Sequence, residues 1–444
     1  MINQKYTKSV AVNMVIANMI GTGIFTAIGF QVMDNAIPDA FSILVIWVIG
    51  GMLSLCGAFA YSEVASTVNR SGGEYSFLSD LYHPILGFLS GWISLIVGFS
   101  AAIAALALAI GDYVLPLFEV SDSYVILIIG LEMSIQKIIA LGVILLVTLI
   151  HMRGVKVGGI FQNYITFLKL ALIVGIITIP FFMNSYEPSQ INFSPSNISV
   201  DTIFSMSFAG SLVWVMFSYS GWNASSYIID DLENPKKNLP FSLIVGTIVV
   251  TVIYVLLNFV FMYVATFDEL NGQPDVGNVV MQKVLGNDIA LVFSAFFSIA
   301  LFSGVSAMMI AGPRVAEQIG KDYSFFKKLG SKNSNGNPVS AILFLAVISS
   351  VLVVFSSFKD MIEYIGITLT LFSIMTVAGV FIIRIRGVEN KLGVKCWGYP
   401  FTPILFIALS IWMLLYFFSS DPMKILWCII TLVPGFTIYY FFKK

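Results

Sequence analysis

Long apolar runs separated by short polar segments dominate the chain. A helix needs about 18 or more predominantly apolar residues to cross the hydrocarbon core. Twelve runs qualify on that approximate length, near 8–32, 41–65, 85–115, 136–152, 157–182, 202–230, 241–265, 286–311, 338–356, 361–385, 402–418 and 423–441. The alternating strands of an outer-membrane barrel are not seen. The connecting segments are too short to hold a soluble domain, so any chemistry belongs within or between the helices. The pattern predicts an all-α polytopic membrane protein with 12 transmembrane helices.

Two of the runs are interrupted. The first carries Gly21, Thr22 and Gly23 at its middle, where tandem glycines around a β-branched residue weaken a helix. Non-helical backbone at membrane depth is tolerated only where protein buries it or where it lines a cavity, so this break predicts a polar cavity beside it. The sixth run is interrupted at Phe217, Ser218, Tyr219, Ser220, Gly221, Trp222 and Asn223. Small residues in membrane helices often serve packing alone, but interruptions in the first and sixth spans are what an inverted repeat of five plus five helices requires. The half-helix beginning after Gly23 points its free amides and positive dipole end into the cavity, a site for a carboxylate. Unpaired carbonyls at the breaks, as at Met19, Phe217 and Ser220, suit an ammonium group. Together these describe an α-amino acid.

Composition agrees with a membrane setting. Hydrophobic residues make up 58% of the chain and charged residues 11%, with a mean hydropathy of +0.92. The net charge of −1 says little about partners, and nucleic-acid binding is not suggested. The distribution of charge says more. With the N-terminus inside, 18 of the 23 Lys and Arg residues fall in inner segments, including Lys443 and Lys444. Lys137, Lys283, Lys359 and Lys424 fall outside. Both termini are therefore expected in the cytoplasm, with the chain in the cell membrane. Cys56, Cys396 and Cys428 imply no disulfide framework. His83 and His151 lack metal-ligand spacing, so neither a metal nor a cofactor is expected. The first span is too long for a signal peptide and lacks a cleavage pattern.

Lys169 is the one basic residue well inside a span. It lies about eleven residues beyond Gly158, or roughly 16 Å along a helix. A charge at that depth costs at least ~2.5 kcal/mol and marks a functional candidate; a lysine stem cannot snorkel so far. Other charges sit at span ends. Glu63, Asp112, Asp230 and Asp231 are poorly placed to meet a cationic substrate, and an inner gate in which Arg70 pairs with Asp230 or Asp231 suits them better.

At these residues the sequence resembles the amino acid, polyamine and organocation transporter superfamily, in particular the L-type (LAT-like) amino-acid transporters and their bacterial relatives. "IGTGIF" is similar to the family's I-G-S-G-I-F, with Thr22 keeping the hydroxyl. "YSEVASTVNRSGGEY", Tyr61 to Tyr75, resembles the family's second helix and first inner loop, with Asn69 where proline is common. "FSYSGWNASSYIIDDLENPKKNLP", Phe217 to Pro240, is the most specific match, and "FSGVSAMMIAGPR", Phe302 to Arg314, a looser one. The resemblance covers nearly the whole chain. It implies repeats over 1–182 and 202–386, two added helices over 402–444, and alternating access to a central site. Thr22 and Gly23 would hold the substrate carboxylate, and the carbonyls of Met19, Phe217 and Ser220 its ammonium. The Phe217 ring would be the thin gate, with Trp222 and Asn223 shaping the pocket.

The resemblance further implies that Lys169 stands where sodium-coupled relatives bind sodium, with Ser303 or Ser306 as its eighth-helix partner, which predicts sodium-independent transport by exchange or proton symport. Alanines at 101, 102, 104, 105, 107 and 109 leave room beside a neutral side chain, so neutral amino acids are expected as substrates. A sodium-coupled symporter and a cationic amino-acid or polyamine transporter are the alternatives. Relatives with a glycoprotein heavy chain carry a cysteine after the third helix, and residues 116–137 hold none, so no disulfide-linked heavy chain is expected. An intramembrane enzyme would need convergent catalytic groups, and a channel a charged or carbonyl-lined filter; neither is visible.

Overall fold

A computed structural model describes residues 5–33, 36–118, 125–128, 131–203, 205–273, 275–355, 358–420 and 423–442. Lys443 and Lys444 lie outside the described residues, as do the side chains of Lys359, Lys424 and Cys428. The chain is about 80% helical. In order it forms α1 (Lys8–Met19), α2 (Gly23–Gln31), α3 (Ala40–Val68), α4 (Glu74–Leu81), α5 (Pro84–Ile93), α6 (Ala102–Val114), α7 (Ile135–Met152), α8 (Val155–Thr178), α9 (Asn197–Ile203), α10 (Met206–Tyr219), α11 (Pro235–Val264), α12 (Phe267–Leu270), α13 (Val276–Leu285), α14 (Asn287–Asp322), α15 (Val339–Phe355), α16 (Phe358–Arg386), α17 (Phe401–Ser420) and α18 (Met423–Phe442). A short antiparallel hairpin, β1 (Val125–Ile128) with β2 (Leu131–Ser134), lies between α6 and α7.

Among the described residues, eight helical segments are long and apolar enough to cross a membrane: Lys8–Gln31, Ala40–Val68, Pro84–Val114, Ile135–Met152, Val155–Phe182, Pro235–Val264, Phe293–Asp322 and Leu369–Arg386. Val339–Phe355, Phe401–Tyr416 and Ile429–Phe442 are shorter apolar helices. The sixth predicted run is divided. Its first part is α10, and its second is a 3₁₀ stretch, Ala224–Asp231, with a kink at Ile228.

Burial sorts the helices by position. In the apolar window of Pro84–Val114, 83% of residues are buried, against 28% in Ile135–Met152. The first is a central rod; the second turns most of its surface outward. Leu145, Leu149, Ile160, Tyr164 and Phe167 are exposed on α7 and α8. On a soluble protein such a surface would be an aggregation patch, whereas on a polytopic protein it is the lipid-facing side. At the centre α1 packs against α8, α11 and α14, α3 against α11, and α6 against α14.

Both ends of the described chain are tied into the fold. Tyr6 pairs by its backbone with the exit of the sixth predicted span: its N–H donates to the Asp231 carbonyl at 2.6 Å, and the Glu233 N–H donates to its carbonyl at 2.9 Å. At the other chain end Phe442 stacks on Phe325, and Tyr439 packs on Phe88 and Tyr323.

Candidate functional site

The first break is an abrupt change of backbone. Ile20 leaves α1 in an extended conformation (φ −79°, ψ 90°), and α2 restarts at Gly23 with no side chain capping its first amides. Those amides are among the four that every helix leaves unpaired at its N-terminus. The second break follows the same logic, with Ser220 ending α10 at φ −55°, ψ 147° and Gly221 at φ +95°. Gly221 is glycine for two reasons. The backbone is left-handed there, and an added Cβ would lie 2.8 Å from the Asn18 Cβ. The breaks also meet directly, since a Cβ on Gly23 would sit 2.6 Å from the Ser218 hydroxyl.

Between the breaks lies a cavity of about 170 Å³. That is below the roughly 300–1,000 Å³ of drug-sized pockets and on the scale of a small metabolite. Met19, Thr22, Gly23, Phe217, Ser220, Trp222 and Asn223 all line it. Ala102 and Ala105 contribute to the wall, together with apolar side chains such as Leu106, Met216, Met308, Phe406 and Met413. Trp222 lines the space and packs as well, edge-on against Tyr61 at 4.6 Å between ring centres.

The carbonyls at the breaks are not equally free. Met19 accepts from the Gly21 N–H at 3.0 Å and from the Tyr254 hydroxyl at 2.5 Å, which uses both of its lone pairs. It is a junction of the fold as well as part of the cavity wall. The Phe217 carbonyl takes one donor, the Ser220 N–H at 3.0 Å, and keeps one lone pair.

Lys169 is completely buried. Its ammonium donates to the Ile20 carbonyl at 2.5 Å and the Ala17 carbonyl at 3.3 Å, so α8 grips α1 at the point where it unwinds. The eighth-helix serines do not share in this. Ser303 bonds back to the Ala300 carbonyl at 2.8 Å, as hydroxyls in apolar helices commonly do, and Ser306 pairs with His151 at 2.9 Å.

The expected pairing of Arg70 with Asp230 or Asp231 is also corrected. Arg70 binds Asp322 at 2.7 Å and lies 3.9 Å from Asp80. Burial by itself lowers the Arg70 guanidinium, but these two carboxylates outweigh it and hold the group above its usual range. Burial raises the Asp80 carboxyl against the opposing pull of Arg70. Asp230 instead accepts from the Ser71 N–H at 3.1 Å and Gln318 at 3.2 Å. Asp231 pairs with Arg314 and Lys332, each at 2.9 Å, and both cations also reach Glu317. Arg70 was drawn away because Asp322 ends α14 beside α4, while Asp231 faces the fully buried Arg314.

Several lining groups escaped sequence reading. Glu74 opens α4 and is 4% exposed. Its carboxylate lines the cavity and accepts from Tyr61 at 2.7 Å, Asn223 at 2.5 Å and Tyr227. It lies inside the quoted "SGGEY", but nothing local marks it as buried. A π-helical segment, Ser94–Ala101, is a second surprise; Ser94, Gly98 and Phe99 from it line the cavity. Such wide turns occur often at functional sites. Of the carboxylates considered as partners for a cationic substrate, Glu63 is engaged by Arg384 at 2.8 Å and Asp112 by Gln136 at 2.5 Å.

Comparison with known proteins follows the same outline. A family profile described as amino acid permease matches residues 9–439. The chain is 27% identical over 442 residues to the serine/threonine exchanger SteT of Bacillus subtilis (strain 168), covering 98% of this chain and 95% of that protein. It is 28% identical over 440 residues to the human b(0,+)-type amino acid transporter 1, covering 97% and 86%. Against the human cystine/glutamate transporter it is 26% identical over 445 residues, covering 99% and 85%.

Proposed function

The chain belongs to the amino acid permease family, whose members here are transporters and not enzymes, and from that premise we propose that it moves neutral amino acids by sodium-independent alternating access. The observation that carries this reading is the meeting of two interrupted helices across one small cavity. At one side the uncapped amides of α2 offer donors and a positive dipole end to a carboxylate. At the other, Phe217 and Ser220 offer carbonyl oxygen to an ammonium. A zwitterion satisfies both ends at once, and the apolar wall beyond them suits a side chain without charge.

Sodium independence rests on Lys169. Its ammonium already supplies a positive charge to the carbonyls of Ala17 and Ile20, the kind of acceptors that a sodium ion would need. Exchange and proton symport both fit that arrangement. A sodium-coupled cycle would need Lys169 to vacate it. For cationic amino acids or polyamines the relevant group is Glu74, the one carboxylate among the described residues that line the cavity; three protein donors already engage it, which favours neutral cargo.

In this reading the chain has 12 spans in the cell membrane, with repeats over 1–182 and 202–386, two further helices over 402–444 and both termini in the cytoplasm. Arg70, Asp230 and Asp231 belong to the inner gate, each through the partners described above, and Phe217 covers the bound amino acid. No disulfide-linked heavy chain is required.

Uptake into proteoliposomes tests the proposal. Radiolabelled serine, alanine and leucine are expected to enter, with entry accelerated by internal amino acid or an inward proton gradient and unaffected by sodium. Unlabelled neutral amino acids should compete, and lysine, arginine and putrescine should not. Absence of uptake under every gradient would defeat the reading; sodium-dependent uptake would replace it with a symporter.

A further inference from the structure

Side chains of α17 divide between two settings. Ile404, Leu405, Ile411 and Leu415 are exposed on its outward side, whereas Phe406, Ser410, Met413 and Leu414 are buried. The buried four stand at i, i+4, i+7 and i+8, which is one face of a helix, and all of them line the cavity between the breaks. Ser410 is the polar member of that face and is 2% exposed. A hydroxyl in an apolar helix commonly bonds back to the carbonyl four residues earlier, as Ser54 does to Gly50 and Ser62 to Ala58 on α3. Ser410 makes no such bond, and its hydroxyl has no hydrogen-bond partner among the described residues.

Packing fixes the depth of this hydroxyl. α17 lies against α10. Near the start of α10 an added Cβ on Gly210 would sit 2.8 Å from the Tyr416 hydroxyl, and just past the second break Trp222 meets Phe406 at 5.9 Å between ring centres. The two segments therefore run in opposite directions, and Ser410, between Phe406 and Tyr416, falls level with Phe217 and Ser218. Ser94 is a second buried lining hydroxyl without a partner among the described residues, but it belongs to another depth. A Cβ on Gly21 would meet Leu106 at 3.7 Å, and Ser94 lies roughly 18 Å from Leu106 along the same rod.

We propose that Ser410 determines specificity, its hydroxyl bonding a hydroxyl on the side chain of a small neutral amino acid. With the carboxylate at the amides of α2 and the ammonium at the second break, the side chain is the part of the cargo left to be read. Phe406, Met413 and Leu414 surround Ser410 with apolar wall, so a cargo hydroxyl that leaves water there finds its partner in Ser410. Each of the two hydroxyls can donate and accept. Alanine, arriving at the same level, makes no such bond. A site built to bond a polar group discriminates against the analogue that lacks it.

This rests on the reading that the cavity receives an amino acid as a zwitterion, and the experiment keeps the two separable. Serine and alanine differ by one oxygen atom, so the readout is the ratio of their KM values in proteoliposomes. The wild type is expected to favour serine about fivefold, the worth of one neutral hydrogen bond. Ser410→Ala should reduce that preference at least threefold by raising KM for serine, with KM for alanine held within twofold. Ser410→Thr retains the hydroxyl and should keep the preference within twofold of the wild type. A mere packing role would weaken both cargoes alike and leave the ratio unmoved. Should Ser410→Ala fail to fold, Ser410→Cys takes its place, since a thiol is a weak donor, and is expected to lose the preference in the same way. A ratio that moves less than threefold, or a wild type without preference for serine, overturns the proposal. If the wild type takes up no amino acid at all, the transporter reading falls and carries Ser410 with it; uptake with an unmoved ratio removes Ser410 alone.

Discussion

Lys169 buries a cation in the bundle centre, yet among the described residues no carboxylate pairs with it; its ammonium donates to the Ala17 and Ile20 carbonyls. Lys169→Ala would strip the donor from two buried acceptors, at about 1–3 kcal/mol each, but would also remove a costly buried charge. Net stability should therefore change little, while uptake in proteoliposomes falls at least tenfold at equal protein level. Glu74 presents the reverse case, an anion held by three neutral donors. Glu74→Gln keeps acceptor capacity and should lower the thermal midpoint in detergent only slightly. Glu74→Ala leaves Tyr61, Asn223 and Tyr227 without their acceptor and should cost roughly 3 kcal/mol or more, seen as a much larger drop in the same measurement. Lys169 was legible in the sequence because a charge in an apolar run stands out. Glu74 was not, because its burial comes from partners on α3 and on the 3₁₀ stretch, far away along the chain. Tyr254 was equally hidden, since a tyrosine in a long apolar span is unremarkable until its hydroxyl is seen to face two broken helices.

At the scale of elements, both interruptions could be read from glycine and hydroxyl residues set in apolar runs, but the backbone departs from the helix at Ile20 to Thr22 and at Ser220 to Asn223, while Gly23 already belongs to α2 and Phe217 to Tyr219 stay in α10. What followed the second break could not. Residues 224–231 wind as 3₁₀ rather than α, and Ser94–Ala101 winds as π, because tertiary packing sets the local pitch and residue type does not. Gly221 gives the break a sharp test. Gly221→Ala must accept a left-handed backbone and a Cβ 2.8 Å from Asn18, together about 3 kcal/mol. Gly142→Ala in α7, whose added Cβ meets nothing within 4 Å, should be neutral or slightly stabilising. Thermal unfolding of the two variants side by side checks the contrast.

Over the whole molecule, the pairing of charges was not visible in the sequence, since residues 231, 314, 317 and 332 converge only in three dimensions. Arg314 is buried with Asp231 and Glu317 at 2.9 and 2.8 Å. Removing one member of such a cluster strands the others at about 3–5 kcal/mol, so Arg314→Ala should reduce the amount of folded protein recovered from membranes, as measured by size-exclusion chromatography.

The backbone pairing of Tyr6 with the 231–233 segment has a mechanical consequence. The lead-in to α1 and the exit of the interrupted sixth run share a single footing, so neither can swing away from the bundle and leave the other behind. Fastening them together should therefore be harmless: a disulfide between cysteines placed at positions 6 and 232 is expected to leave at least half of the uptake rate, with oxidised and reduced vesicles compared directly. A halt on oxidation would mean that the two feet part company during each cycle.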